Sequence, residues 1–243
     1  MKISGYDFPN FVIKFGKLEH LQSLQKGTVY LKNCSYYRSL EQKGQGDKLD
    51  GKYFYNTDIV IEPNSDNPIK LPALAIFDTF PEKDEPVFCA TWVNDKNAKL
   101  LQVKKDHFAT IRIQLDVEKI KKDFSCDYGL IFNYAEFQTK IKEYCRKNNI
   151  CFDHGLVKYY DIYNDLHNPW RNHYINKNDR FFIKDIYFSY QNEIRWVVFK
   201  DVEEGKDYTT ISIEPLSISK ILPIQKFSNL EVGAYIKEKP NEI

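Results

Sequence analysis

The apolar residues of this chain fall into many short runs, most with the period of a β-strand, separated by turn signals and by few stretches of helical period. Strand-like runs include "FVIKFG" at 11–16, "TVYLKN", "DIVIEP", "VFCATWV", "FATIRIQL", "GLVKYYDIY" and the strand and turn in "TTISIEPLSISKILPI". Helical period appears in "KLEHLQSLQKG", where Leu18, Leu21 and Leu24 share one face and Gly27 supplies a stop. "DVEKIKKDF" reads as a short amphipathic helix and "AEFQTKIKEYCRKNN" as the longest one. This order predicts an α+β fold of mostly antiparallel, twisted sheets with a few helices. No repeat, linker or boundary interrupts the chain, so 1–243 is expected to form one domain with a substantial core.

Two stretches lack such periods. "SYYRSLEQKGQGDKLDGKYFY" is turn-rich and reads as an irregular loop anchored by Tyr36, Tyr37 and Leu40. "NDLHNPWRNHYINKNDR" reads as a long loop or short helices, with Trp170 and Arg171 as a lid, a partner surface or a plain anchor. The polar "YIKEKPNEI" is expected to fray.

Charge gives no sign of one class of partner, although its balance leaves room for a local basic groove. Lys plus Arg number 35 against 34 Asp plus Glu, which leaves no basic excess for a duplex DNA backbone. No window approaches the roughly 18 apolar residues that span a bilayer, and "MKISGYDFPNFVIKFG" lacks a leader's apolar run. The five cysteines are odd in number and form no CxxC pair, which predicts free thiols in a reducing cytoplasm, the host's if the gene is viral. Cys151 and His154 are three apart but have no second pair, and His167 and His173 only flank "NPWRN", so no metal is expected.

The segment "FSYQNEIRWVVFK" poses the functional question. On a strand, Gln191, Glu193 and Arg195 would project together while Ile194, Trp196 and Val198 entered a core. Such a face is either solvated, with Glu193 and Arg195 paired along it, or turned to a cleft. In a cleft, the carboxylate suits chemistry at a glycosidic carbon, where it stabilises an oxocarbenium-like transition state. The neighbouring amide suits holding a nucleophile or acceptor.

The Gln-x-Glu resembles the third motif of the ADP-ribosyltransferase superfamily. In order, "VYLKNCSYYRSLE", "GQGDKLDG" and "FFIKDIYFSYQNEIRWV", with "VFCATW" and "SIEPLSISKIL", are similar to a group of bacterial and phage proteins of ADP-ribosyltransferase-like fold. That group carries Lys and Tyr-x-x-Gln-x-Glu-x-Arg late in the chain, and the similarity covers most of this one. The resemblance implies an ADP-ribosyltransferase-like fold and an enzyme that cleaves the nicotinamide–ribose bond of NAD and modifies a protein, nucleic-acid or small-molecule acceptor. It also implies a part in phage–bacterium conflict, as toxin, defence or counter-defence factor. Glu193 would be the catalytic carboxylate and Gln191 would orient the acceptor. Lys184 would contact a phosphate, Tyr187 or Tyr190 would line the pocket, and Ser35, Tyr36 or Tyr37 would lie beside the nicotinamide. Lys14 stands where the superfamily has Arg, His or Tyr to hold NAD, and Arg195 completes the cofactor side.

Other readings stay open. Arg38 either grips a diphosphate or braces its loop against Glu41 or Asp47. Gly44, Gly46 and Gly51 permit tight turns without a Walker ending, and Asp47 and Asp50 would hydrogen-bond that loop's backbone. A non-catalytic nucleotide- or protein-binding module is the second function. A nuclease holding magnesium through Asp47, Glu193 and Lys184 is the third.

Overall fold

Eight strands hydrogen-bond into one antiparallel sheet, and the way that sheet splits positions the site. The computed structural model describes residues 2–3, 6–39, 47, 50–77, 85–105, 107–161, 178–203 and 205–236. Leu40, Glu41, Gly44, Gly46, His167, Trp170, Arg171 and His173 lie outside them.

The N-terminal part runs β1 (Lys2–Ile3), β2 (Tyr6–Asp7), β3 (Phe11–Gly16), α1 (Leu18–Gln25), β4 (Thr28–Asn33), α2 (Cys34–Ser39), β5 (Tyr53–Ile61), β6 (Ile69–Phe77) and β7 (Pro86–Trp92). It continues through β8 (Ala98–Val103), β9 (Phe108–Ile113), α3 (Val117–Phe124), β10 (Tyr128–Asn133), α4 (Tyr134–Lys147), β11 (Cys151–Leu156) and β12 (Lys158–Tyr160). The last elements are β13 (Ile183–Asp185), β14 (Glu193–Phe199), β15 (Tyr208–Ser212), β16 (Ser219–Pro223) and β17 (Leu230–Tyr235). The fold is therefore α+β with mostly antiparallel sheets, as the periodicity predicts.

The main sheet has the order β11-β14-β7-β3-β10-β16, and β4 pairs with β7 beside β3 and carries β15 on its other edge. β7 is thus shared along one edge. Val12 and Ile13 of β3 face Trp92 and Thr91, while Lys32 and Asn33 of β4 face Val87 and Pro86. Residues 88–90 between these contacts have no strand partner on that side, so the sheet forks there. On the other edge β7 stays paired with β14 from Val87 to Thr91, which puts Arg195 opposite Cys89 and Glu193 opposite Thr91.

Alternation along the strands sorts two cores. On one face, Val12, Leu31, Phe88, Leu130, Phe132, Ile194, Trp196 and Val198 pack against Leu21 and Leu24 of α1 and Phe137, Ile141 and Cys145 of α4. Trp196 meets Phe137 edge-on at 4.9 Å and its indole N–H donates to Gln138 Oε1 at 2.5 Å. On the other face, Ile13 and Phe227 pack on Ala109, Ile111 and Ile113 of a three-stranded sheet, β17-β9-β8. Helices, large sheet and small sheet therefore form three layers, each burying an apolar face that water would otherwise penalise.

Local signals explain the helix ends. Asp116 caps α3 by accepting from Lys119 N–H, and Asn133 caps α4 by accepting from Glu136 N–H. Gly27 follows α1 with φ 98°, where a Cβ would lie 2.1 Å from the Ile213 carbonyl oxygen, so only glycine fits. Several elements differ from the periodicity reading: β6 and β10 form from residues not read as strands, and "TTISIEPLSISKILPI" yields two strands, β15 and β16. Residues 34–39 form α2 rather than loop, because Cys34 is buried beneath the chain at Gly51. β17 extends to Tyr235 with Ile236 buried behind it, so the pairing with β9 orders the start of the segment expected to fray.

All five cysteines are free thiols. No helix among the described residues is long and apolar enough to cross a membrane.

One half-buried carboxylate ties α4 to the turn before β16. Glu136 accepts from the N–H groups of Ser217 and Ile218, from the Ser217 hydroxyl and from Lys140. Burial works against its charge, yet these donors hold its carboxyl down to about 2. Because the folded value lies below the unfolded value of about 4.3, this stabilisation is present above that pH and is lost as pH falls towards 2. Glu136→Gln is expected to cost about 1–3 kcal/mol at pH 7 and to flatten the acid limb of the stability curve. Urea unfolding at pH 7 and pH 3 measures both; equal stability at pH 7 would show the clamp to be inert.

Candidate active site

The Gln-x-Glu segment does not enter as a continuous strand. Residues Ile186–Gln191 form a 3-10 helix capped by Asp185, and β14 begins only at Glu193. Between them Asn192 takes a left-handed backbone, φ 43°, a region that asparagine visits more readily than most residues. Its carbonyl accepts from Trp92 N–H at 2.7 Å, its side-chain amide donates to Trp92 O at 2.5 Å, and its Oδ1 accepts from Asn94 at 3.3 Å. Gln191 and Glu193 are thus brought together by a helix end and a locked reversal, which corrects the expectation of a shared strand face. Asn192→Val places a branched side chain in that conformation and removes two side-chain bonds. It is expected to cost about 2–4 kcal/mol, and Asn192→Gly less. Thermal unfolding of both variants checks the order, and a Val variant as stable as the Gly variant would refute it.

The polar face is not solvated. Gln191 is 4% exposed, Glu193 6% and Arg195 1%. Glu193 Oε1 accepts from Arg195 Nε at 2.8 Å, and Oε2 accepts from Lys184 Nζ at 2.9 Å. The same Lys184 amine donates to Gln191 Oε1 at 2.9 Å. Arg195 also grips Asp50 with two bonds of 2.6 and 2.7 Å and donates to Phe181 O at 2.8 Å. The Glu193 backbone N–H donates to the Tyr159 hydroxyl at 2.8 Å. Two carboxylates and two cations therefore balance inside the protein, which is the condition for burying charge.

Electrostatics follow from this packing. Burial alone would disfavour an ionised Glu193, but Arg195 and Lys184 outweigh it and hold the carboxyl well below the usual range. Burial likewise opposes a charged Lys184, and Glu193 reverses the effect and raises it. The Cys89 thiol, buried beside the same carboxylate, is pushed up to about 12 and stays protonated. Tyr37 is also raised by burial.

Glu193 opens onto a cavity of about 100 Å³ lined by Lys14, Phe15, Tyr37, Cys89, Lys184 and Gln191, among others. Lys14, Phe15 and Tyr37 also line a wider cavity of about 390 Å³, whose walls include His20, Tyr30, Lys32, Tyr36 and Tyr208. The two compartments meet at the fork. Lys14 follows Ile13 on β3, and its amine reaches across the unpaired stretch of β7 to donate to Cys89 O at 2.7 Å. Tyr36 and Tyr208 offer their ring faces to Lys32, 4.0 and 5.1 Å from their centroids.

Of the residues singled out by sequence, Lys14, Tyr37, Lys184, Gln191 and Glu193 line one compartment and Tyr36 the other. Tyr190 lies behind Gln191, accepting from its amide at 3.3 Å and donating to Asp123 at 2.5 Å, and Tyr187 is exposed. Arg195 sits beneath Glu193 rather than on the wall, and Lys184 spends its amine on Glu193 and Gln191. Arg38 donates to the Asp50 carbonyl at 2.8 Å and so braces its loop. Asp47 accepts from Asp185 N–H, joining that loop to β13. Asp50 is the partner the sequence hid: a carboxylate in a glycine-containing turn carries no sign of an arginine 145 residues away. Among the described residues, no three His, Cys, Asp or Glu side chains are grouped to hold a metal.

Comparison of the chain with protein-family models, curated protein sequences and solved structures finds no match.

Proposed function

We propose that this protein is an ADP-ribosyltransferase-like enzyme that cleaves the nicotinamide–ribose bond of NAD and transfers ADP-ribose to an acceptor in phage–bacterium conflict. The observation that carries the reading is a pair of compartments that share Lys14, Phe15 and Tyr37 at the fork, with Glu193 and Gln191 in the narrow one and tyrosines in the wide one. A dinucleotide has two rings separated by a diphosphate, and this cleft has two recesses with a lysine where they meet. Tyrosine faces suit flat rings, and the Lys14 amine offers N–H donors to the diphosphate.

In this reading Glu193 faces the ribose. As the C1–N bond breaks, the electron pair leaves with nicotinamide and positive charge grows on the sugar. A carboxylate already ionised and locked by Arg195 and Lys184 needs no reorganisation to meet that charge. Gln191, oriented by Lys184 and Tyr190, presents its amide to the incoming acceptor. The test is incubation with labelled NAD and a cell lysate, followed by mass-spectrometric search for ADP-ribose. Absence of label from every acceptor, with NAD left intact, counts against the enzyme.

A second reading has one observation in its favour. Both Glu193 oxygens already accept from cations, which suits a binding module in which the acid is structural. That module would bind NAD without consuming it.

A further inference from the structure

Lys14 differs from Lys184 and Lys32, the other amines lining the cleft, in making no salt bridge. Lys184 is bonded to Glu193, and Lys32 is bonded to Asp207 at 3.1 Å. Lys14 makes one hydrogen bond, to a neutral backbone carbonyl, and lies 5.0 Å above the face of Phe88. No carboxylate among the described residues lies within salt-bridge distance of it, yet it lines both compartments.

We propose that Lys14 is a nucleophilic amine that forms an imine with small aromatic aldehydes entering the cleft. Desolvation in an apolar pocket is one of the ways a lysine becomes a Schiff-base former, because the neutral amine carries the reactive lone pair. Phe15, Tyr37 and Phe88 supply that apolar surrounding here, and burial lowers the affinity of Lys14 for its proton. The fixed cation of Lys184 acts in the same direction, while Glu193 acts in the opposite one. The Nζ lone pair attacks the aldehyde carbon and the carbonyl π pair moves to oxygen. That oxygen takes two protons, both from the nitrogen in net terms, and leaves as water, so that a C=N bond remains. The planar imine lies where the walls are aromatic, which selects aromatic aldehydes over aliphatic ones. The inference does not depend on NAD as substrate.

The experiment treats the intact chain with pyridoxal at neutral pH, traps imines with borohydride and maps the modified peptides over time. Lys14 is expected to be modified several-fold faster than the exposed Lys99 and Lys142, and acetaldehyde to show a smaller preference. Lys14→Met removes the reactive amine and leaves an unbranched, uncharged side chain that suits the apolar walls. It should erase the fast-labelled site while the slow sites and the melting temperature stay unchanged. Modification of Lys14 at or below the rate of Lys99 and Lys142 in the folded chain overturns the proposal.

Discussion

Glu193→Gln is expected to lower the rate of ADP-ribose transfer by at least about 100-fold, in line with the loss of one group aimed at transition-state charge. The substitution keeps the size of the side chain and removes the negative charge. It also turns an amide N–H₂ towards either Arg195 or Lys184, both of which are donors themselves. Some loss of stability therefore accompanies the loss of rate. Glu193→Asp separates the two effects, because it retains the charge but withdraws the oxygens from the ribose side by one methylene. An enzyme predicts a steep loss for Gln, a smaller one for Asp, and NAD still bound by both. A binding module predicts NAD bound by the wild type without turnover, and variants altered in affinity alone. Labelling that survives Glu193→Gln in a folded chain removes this acid from the chemistry.

Asp50→Ala carries the largest expected cost in stability, about 3–5 kcal/mol, because it leaves a buried guanidinium facing a void. Arg195 is 1% exposed and loses two of its strongest bonds in that variant. The remaining bonds, to Glu193 and Phe181 O, do not neutralise it, since Glu193 is shared with Lys184. Urea unfolding of the wild type, Asp50→Ala and the double variant Asp50→Leu with Arg195→Met gives the test. The double variant removes the charge along with its partner, so it is expected to recover much of the loss in stability while losing the platform beneath Glu193. A single variant within about 1 kcal/mol of the wild type would mean that water reaches the cluster and that Arg195 is not held as the geometry shows.

Strand and helix periods and the stop at Gly27 are local properties, and they are legible because backbone preference and burial act on neighbouring residues. The alternation Ile194, Trp196, Val198 likewise announces the core face of β14. Residues 34–39 escape this reading because their helix depends on Cys34 finding the chain at Gly51, a contact that no local period encodes. Asn192 escapes it for a different reason. Gln-x-Glu read as a strand looks regular, and the reversal between its two ends exists only once Trp92 and Asn94 are in place to bond it.

By itself, then, the sequence determined the α+β class, the core-facing residues of β14 and a set of polar residues able to act together. Tertiary structure alone decided that their face is dry rather than wet, that Asp50 neutralises Arg195, and that two recesses share Lys14 at a fork in the sheet. The physical reason is one of range. Backbone preference acts over a few residues, whereas the fate of a charge depends on what removes its water, and here that is supplied by segments more than a hundred residues away along the chain.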